Sequence, residues 1–340
     1  MYNLHSILIQ LKKEDTPLHG VMVRCVRCFY QWLDPTLWEG SALFELWAQE
    51  LELIYGDLRQ RLSPNAKTDA GSLGDRFGFD TPPELPRLLQ SIQTFYSVLI
   101  KLIAWNTLRG ATPEPPLTEL LSGRAFVNRG IRNFCGDDWY IWPLDIWDPA
   151  LETQCEELRA CLESFDTCPE GSTLSPDSLS RIYETVVPPA LRHALGEYYT
   201  PGWLAERTLQ NAVSASGRQA GDLRFLDPAC GSGSLLLKVE KVLGKDNIER
   251  GFYGQEIDLT TYNLCRINMF LHNIEFDKFS IVREDTLLSP QHWDDQPFEL
   301  IVSNPPFSVP WEGDKNPLLI NDPRFSPAGV LAPASKGDMA

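Results

Sequence analysis

Leu226-Asp227-Pro228-Ala229-Cys230-Gly231-Ser232-Gly233 opens a stretch that closes on Asn304-Pro305-Pro306-Phe307, and each of these segments directly follows a short apolar run. Such runs read as buried strands. Between and around them the pattern alternates: strand Leu223 to Leu226, helix Ser234 to Leu243, strand Gly251 to Gln255, helix Leu259 to His272, strand Phe279 to Arg283 and strand Phe298 to Ser303. Strands separated by helix-length segments predict a parallel, doubly wound α/β sheet.

In such a sheet a ligand sits outside the carboxyl ends of the strands, and Asp227 to Gly233 falls there. Gly231 and Gly233 let backbone approach a ligand closely, and the next helix turns its unpaired N–H groups toward it. A dinucleotide would be served equally well by that much. The loop, however, is D-P-A-C-G-S-G and lacks the three-glycine G-x-G-x-x-G turn. A carboxylate at this point repels a pyrophosphate but suits a cationic ligand such as an aminoacyl sulfonium. Glu256 ends the second strand, where an acidic side chain can accept hydrogen bonds from ribose hydroxyls. Asp285, after the third, can receive the amino group of an adenine. Any one of these carboxylates alone would read as solvated or as a helix cap; together they outline a nucleoside pocket.

Asn304-Pro305-Pro306-Phe307 carries a different chemistry. An exocyclic amine on an aromatic ring is a poor nucleophile because its lone pair is delocalised. The Asn304 side-chain oxygen and the Pro305 carbonyl form an acceptor pair able to draw both N–H bonds out of the ring plane and favour attack on a methyl group. Consecutive prolines stiffen that backbone, so the acceptors need little reorganisation. Phe307 can stack on a base flipped out of its duplex. By itself a double proline after a strand is as often a rigid turn.

The rest of the chain is mostly helical in pattern. Leu43, Leu46, Trp47, Leu51 and Ile54 recur at helix spacing within residues 40 to 60, and Arg87 to Leu108 resumes it after a Gly- and Pro-rich loop. Trp139, Tyr140, Trp142 and Trp147 form an aromatic cluster read as core rather than as a base-stacking surface. Pro149 to Phe165 is an acidic helix, Cys168 to Pro176 a linker, and Leu179 to Leu195 a helix interrupted at Pro188-Pro189. The expected division is a mainly helical domain over residues 1–170 and a sheet domain over 178–340. Thr200 is expected as N-cap of a helix with Pro201 at its first position. The apolar run Phe95 to Trp105 is shorter than a spanning helix and contains Lys101, and no signal peptide opens the chain, so no membrane association is expected and a cytoplasmic location is. With 8 cysteines and no secretory signal, reduced thiols are expected, and Cys25 and Cys28 are not read as metal ligands. A formal charge of −16 predicts weak intrinsic affinity for nucleic acid, so attraction to DNA must come from a local patch, a partner or sequence absent here.

Taken together, Gly196-Glu197-Tyr198-Tyr199-Thr200-Pro201, the D-P-A-C-G-S-G loop and Asn304-Pro305-Pro306-Phe307 resemble, in order, the three signatures of N6-adenine DNA methyltransferases. From about residue 226 the chain most resembles the modification subunits of type I restriction–modification systems, including Thr261-Tyr262-Asn263-Leu264 and the run Leu318 to Asp338. The resemblance implies an incomplete Rossmann-like S-adenosyl-L-methionine-dependent methyltransferase sheet and an adenine-specific, site-specific DNA methyltransferase. By it, Tyr199, Thr200 and Pro201 line the methionine end of the cofactor, while Asp227, Pro228, Ala229, Gly231 and Gly233 cradle it. Glu256 binds the ribose, Ile257 packs on the adenine and Asp285 meets the adenine amino group. Asn304, Pro305, Pro306 and Phe307 hold the target base. No metal is implied. Double-stranded DNA, reached through missing or partner-supplied regions, and specificity or restriction subunits are the implied partners.

The family's sheet carries further strands and a target-recognition region. Ser335-Lys336-Gly337-Asp338 reads as a capping box, so the expectation is that a downstream part is missing. Ile301 and Val302 then predict an apolar strand left at an edge, and with it poor solubility or assembly with a chain that completes the sheet. Rival readings are a non-catalytic cofactor-binding or assembly fragment, and a methyltransferase acting on a protein glutamine or on RNA.

Overall fold

The computed structural model describes residues 4–34, 36, 41–55, 73–108, 112–127, 134–135, 139–165, 178–195, 200–244, 251–272, 274, 276–293, 296–307, 309–334 and 337. Several expectations fall outside them in whole or part, among them Tyr199 with the rest of Gly196 to Tyr199, the linker Cys168 to Pro176, much of the Gly- and Pro-rich loop before Arg87, and most of the capping box at 335–338.

The first part is helical: α1 (Leu4–Lys12), α2 (Pro17–Trp32), α3 (Ser41–Tyr55), α4 (Leu85–Leu108) and α5 (Pro149–Glu163), with shorter turns of helix between the last two. Thr16 and Asp148 cap α2 and α5, each followed by a proline at the first helical position, where no N–H is needed. On α3, Trp47 and Leu51 are buried as the spacing predicts, but Leu46 is 53 % exposed, so the buried stripe is narrower than the apolar one.

Around α4 other helices collect: α2, α5, two short helical turns between α4 and α5 and two later helices touch it. It is apolar on nearly every face, the pattern of a helix surrounded by protein. By length and composition α4 could cross a membrane, and 94 % of its apolar window is buried inside the protein. Several of its buried polar groups are partnered: Lys101 donates to the Leu121 carbonyl at 2.9 Å, Trp142 Nε1 to Thr94 Oγ1 at 2.9 Å, and the Tyr140 hydroxyl to Gln93 Oε1 at 3.0 Å, whereas Gln90 Oε1, Trp105 Nε1 and Asn106 Oδ1 are buried without a hydrogen-bond partner among the described residues. Tyr140 and Trp142 therefore fill core, as the aromatic cluster predicts.

Pro188 splits the next helical stretch into α6 (Ser178–Val186) and α7 (Pro189–Ala194), whose Ile182, Tyr183, Val187 and Leu191 join the same core. The following helix, α8, runs Gly202–Ser216. Pro201 holds the cap position at ψ 136° with no side-chain cap bond, so the expected cap at Thr200 is corrected. An extended Pro201 delays the helix by one residue.

Beyond α8 lies a parallel sheet: β1 (Phe225–Asp227), α9 (Ser234–Leu243), β2 (Phe252–Glu256), α10 (Leu259–Leu271), β3 (Phe279–Arg283) and β4 (Leu300–Ile301). Strand order is β3-β2-β1-β4, with Asp227 opposite Gly254 and Leu226 opposite Ile301. The order reverses between β1 and β4, which is where a doubly wound sheet opens a crevice. Phe225, Leu236, Leu237, Val239, Phe252 and Leu300 pack its core, while Leu264, Ile267 and Leu271 of α10 face the helical core. Strand β4 is shorter than the predicted Phe298 to Ser303 and lies at the sheet edge, with Ile301 62 % exposed and Val302 buried.

Candidate active site

The crevice holds a cavity of about 730 Å³. Its floor is the carboxyl ends of β1 and β2, and its walls are the loop after β3, the segment after β4 and residues 309–312. Of the residues singled out in the sequence, Thr200, Asp227, Pro228, Ala229, Gly231, Glu256, Ile257, Asp285, Asn304, Pro305 and Pro306 all line it. Pro201, Gly233 and Phe307 do not, and Tyr199 lies outside the described residues.

Each carboxylate is fixed by backbone. Asp227, 1 % exposed, accepts the Ala229 N–H at 3.2 Å and is hydrogen-bonded by the Ser303 side chain. Glu256 accepts the Gly231 N–H at 2.9 Å through one oxygen and the Asp258 N–H at 2.9 Å through the other. Asp285 Oδ1 accepts the N–H of Leu287 at 2.8 Å and of Leu288 at 3.2 Å, closing a turn. A carboxylate has further acceptor sites beyond these, so each retains capacity for a ligand.

Burial pushes the Asp227 carboxyl up to about 7, against the pull of the Ala229 and Ser303 hydrogen bonds, and does the same to Glu256. Asp258, cap of α10, is also raised by burial. Among the described lining residues are Asp227, Glu256, Glu284, Asp285 and Glu312 and no lysine, arginine or histidine. An acidic, largely apolar cavity of this size fits a nucleoside bearing a positive charge and leaves a pyrophosphate without a counter-ion. Among the described residues no cluster of His, Cys, Asp or Glu is placed to hold a metal ion.

The two glycines divide the work differently from the sequence reading. Gly231 has φ +52° and open space where a Cβ would stand, and it lines the cavity. Gly233, at φ +81°, faces α10 instead, where an added Cβ would meet Cys265 Sγ at 2.7 Å. Its smallness lets α10 pack against the loop, which corrects its expected place in the cofactor cradle. The Cys230 thiol is pushed well up by its hydrogen bond with Cys265 and by burial, a poor setting for a nucleophile.

Sequence reasoning missed several wall residues. Gln255, 2 % exposed, ties the loops together: its Nε2 donates to the carbonyls of Glu284 and Ser289 at 3.1 and 3.0 Å, and its Oε1 accepts the Gln291 N–H at 3.0 Å. Ser303 touches Asp227 from the residue before Asn304. Trp311 and Glu312 close the far side. Only Gln255 carried a signal, a buried amide at a strand end.

This combination, an α/β sheet of Rossmann-like order with acidic loops at its switch point, fits the S-adenosyl-L-methionine-dependent methyltransferase class. Residues 174–340 match the family model N-6 DNA Methylase. It is 42 % identical over 204 residues to the type I restriction enzyme MpnII methylase subunit of Mycoplasma pneumoniae, covering 56 % of this chain and 37 % of that protein. With the HindI methylase subunit of Haemophilus influenzae it shares 32 % over 137 residues, 38 % of this chain and 28 % of that one. The chain thus spans well under half the length of these relatives. A solved type I restriction–modification methyltransferase subunit from Streptococcus thermophilus superposes with a TM-score of 0.45 at 20 % identity, over 88 % of this chain and 70 % of the other.

Proposed function

We propose that the chain carries the cofactor site and the base-holding loop of a type I restriction–modification DNA adenine N6-methyltransferase. The observation that supports this most is that Asn304, Pro305 and Pro306 share one cavity with Asp227 and Glu256. Bound S-adenosyl-L-methionine supplies an electrophilic methyl group on a positively charged sulfur. Asp227 and Glu256 give that cation a matching charge at the floor, and Asp285 and Glu256 offer acceptors to the adenine amino group and the ribose. The Asn304 side-chain oxygen and the Pro305 carbonyl orient the target amine. No covalent enzyme intermediate would be needed, because an amine oriented in this way would attack the methyl directly, the sulfur–methyl bond breaking as the N–C bond forms and the amine proton leaving to water. Duplex DNA is the substrate in this reading, specificity and restriction subunits are the partners, and the location is cytoplasmic.

The test is transfer of a tritiated methyl group to unmethylated duplex DNA, with protein and RNA acceptors in competition. Transfer to DNA that is abolished by Asn304→Ala while cofactor affinity is kept supports the reading. Cofactor binding without transfer to any acceptor would make the chain a binding fragment, and preference for the protein or RNA acceptor would move the substrate class.

A further inference from the structure

One side chain outside the sheet holds the loop that follows β3. Arg324 Nη1 donates to the Thr286 carbonyl at 2.8 Å and Nη2 to the Leu287 carbonyl at 2.7 Å. On its other side the guanidinium meets the Asp322 carboxylate, Nε to Oδ1 at 2.9 Å and Nη2 to Oδ2 at 2.8 Å, and it lies over the Phe325 ring at 4.8 Å. The planar guanidinium makes all four of these bonds at once, whereas an ammonium has only three donors and no fork to match the carboxylate.

The two carbonyls belong to the cavity wall. They follow directly on Asp285, whose carboxylate is turned by the N–H groups of Leu287 and Leu288, and the Thr286 hydroxyl donates to the Pro228 carbonyl in the β1 loop. Arg324 sits in a separate small unit in which Trp311, Leu319 and Phe325 pack together with Leu287 against them. That unit closes on itself through Trp311 N–H to Ala334 O at 2.9 Å and Gly337 N–H to Val309 O at 3.0 Å. It also supplies Val309, Pro310, Trp311, Glu312 and Gly337 to the cavity lining.

We propose that Arg324 is a positioning residue that clamps the Asp285 to Leu288 wall to this unit and so sets affinity for the adenine end of the cofactor. The inference rests on the reading of the cavity as a nucleoside site. Its effect passes through Asp285 and the β1 loop, so it governs cofactor capture and leaves the step at Asn304 alone.

The experiment titrates the full chain with adenosine and with S-adenosyl-L-homocysteine by calorimetry, for wild type, Arg324→Ala, Arg324→Lys and Asp322→Asn. Expected is a loss of about tenfold or more for both ligands in Arg324→Ala, the scale of one charge-assisted hydrogen bond, with smaller losses in the same direction for the other two. Where transfer is measured, the Michaelis constant for the cofactor rises and kcat at saturation stays. A purely structural role would lower the bound fraction and the melting temperature with an unchanged dissociation constant, and would overturn the proposal. So would a loss for S-adenosyl-L-homocysteine without one for adenosine. If Arg324→Ala does not fold, Arg324→Lys and Asp322→Asn decide by the same criteria. A wild-type chain that binds neither ligand overturns the nucleoside reading itself, an outcome distinct from equal binding by wild type and variant.

Discussion

The hydroxyls of Ser180 and Ser232 share a buried hydrogen bond of 2.9 Å, joining helix α6 of the helical unit to the loop between β1 and α9. The Ser232 carbonyl also accepts from Asn268 Nδ2 at 2.8 Å, so this residue is held on two sides. A second tether runs from Tyr140 to the hydroxyl of Thr260, near the start of α10 and just beyond Glu256. The helical unit therefore touches the loop after β1 and the helix after β2, next to the strand ends that carry the cavity-floor carboxylates.

From the first tether follows a coupling. Ser180→Ala leaves the Ser232 hydroxyl buried without that partner, a loss of about 1–2 kcal/mol, whereas Ser180→Ala with Ser232→Ala removes both polar groups and costs less than the sum. Urea unfolding of the four species reads the coupling energy directly, and strict additivity would show that the contact carries none.

Gly231 and Gly233 separate ligand approach from packing. Both take positive φ, so alanine at either costs about 1–2 kcal/mol in backbone strain. At Gly233 the new methyl group also collides with Cys265 Sγ and comes within 3.2 Å of Met269, adding about 1–3 kcal/mol. Gly231→Ala meets no protein atom within 4 Å and lies on the cavity wall. Gly233→Ala is therefore expected to lower unfolding stability more, and Gly231→Ala to weaken cofactor binding more per unit of stability lost, in paired denaturation and titration.

The same pair shows how far sequence reading reaches. A glycine forced by positive φ has the same signature whether the space beside it holds a ligand or a helix, so Gly233 could not be told from Gly231. The alternation that sets the sheet was legible because strand and helix periods differ, and the carboxylates at Asp227, Glu256 and Asp285 were legible because they follow strand ends. Thr200 was found as a cavity residue through the resemblance, while its predicted role as a cap failed on the ψ of Pro201. Arg324 and Trp311 sit in irregular chain with only single 3₁₀ turns, which has no period to read. Their partners are set by contacts distant in sequence, Arg324 with Thr286 and Trp311 with Ala334.

The acid pair at the cavity floor predicts a pH dependence. Asp227 and Glu256 are raised from ordinary carboxylate values to about 7, by burial above all, with Asp258 raised beside them and Arg283 acting on Asp258 in the opposite sense. The folded state thus binds protons that the unfolded state has already lost, and unliganded stability falls as pH rises from about 4 to about 7 and levels off above. A cationic ligand prefers both carboxylates ionised. Its affinity should rise through pH 6–8, a neutral thioether analogue should show a shallower rise, and Asp227→Asn should flatten the difference. Calorimetric titration of S-adenosyl-L-methionine and S-adenosyl-L-homocysteine across that range checks this; parallel curves would mean that the pair does not sense ligand charge.

Phe307 is 51 % exposed and stands outside the cavity lining, three residues beyond Asn304. An exposed aromatic ring outside the lining makes no direct contact with a ligand held in the cavity, but it is available to a base that leaves its stack. Base–aromatic stacking is worth about 1–3 kcal/mol, so Phe307→Ala should lower kcat/KM for duplex DNA by about five- to 150-fold while the cofactor dissociation constant stays. Phe307→Trp should retain most of the activity because stacking needs a π-face and no particular donor. The discriminating readout is 2-aminopurine at the target position, whose fluorescence rises when the base is unstacked from the duplex and falls when a protein ring stacks on it. Phe307→Ala should brighten the complex relative to wild type if the flipped base persists without its platform, whereas equal fluorescence together with unchanged kcat/KM would remove Phe307 from the base-holding loop.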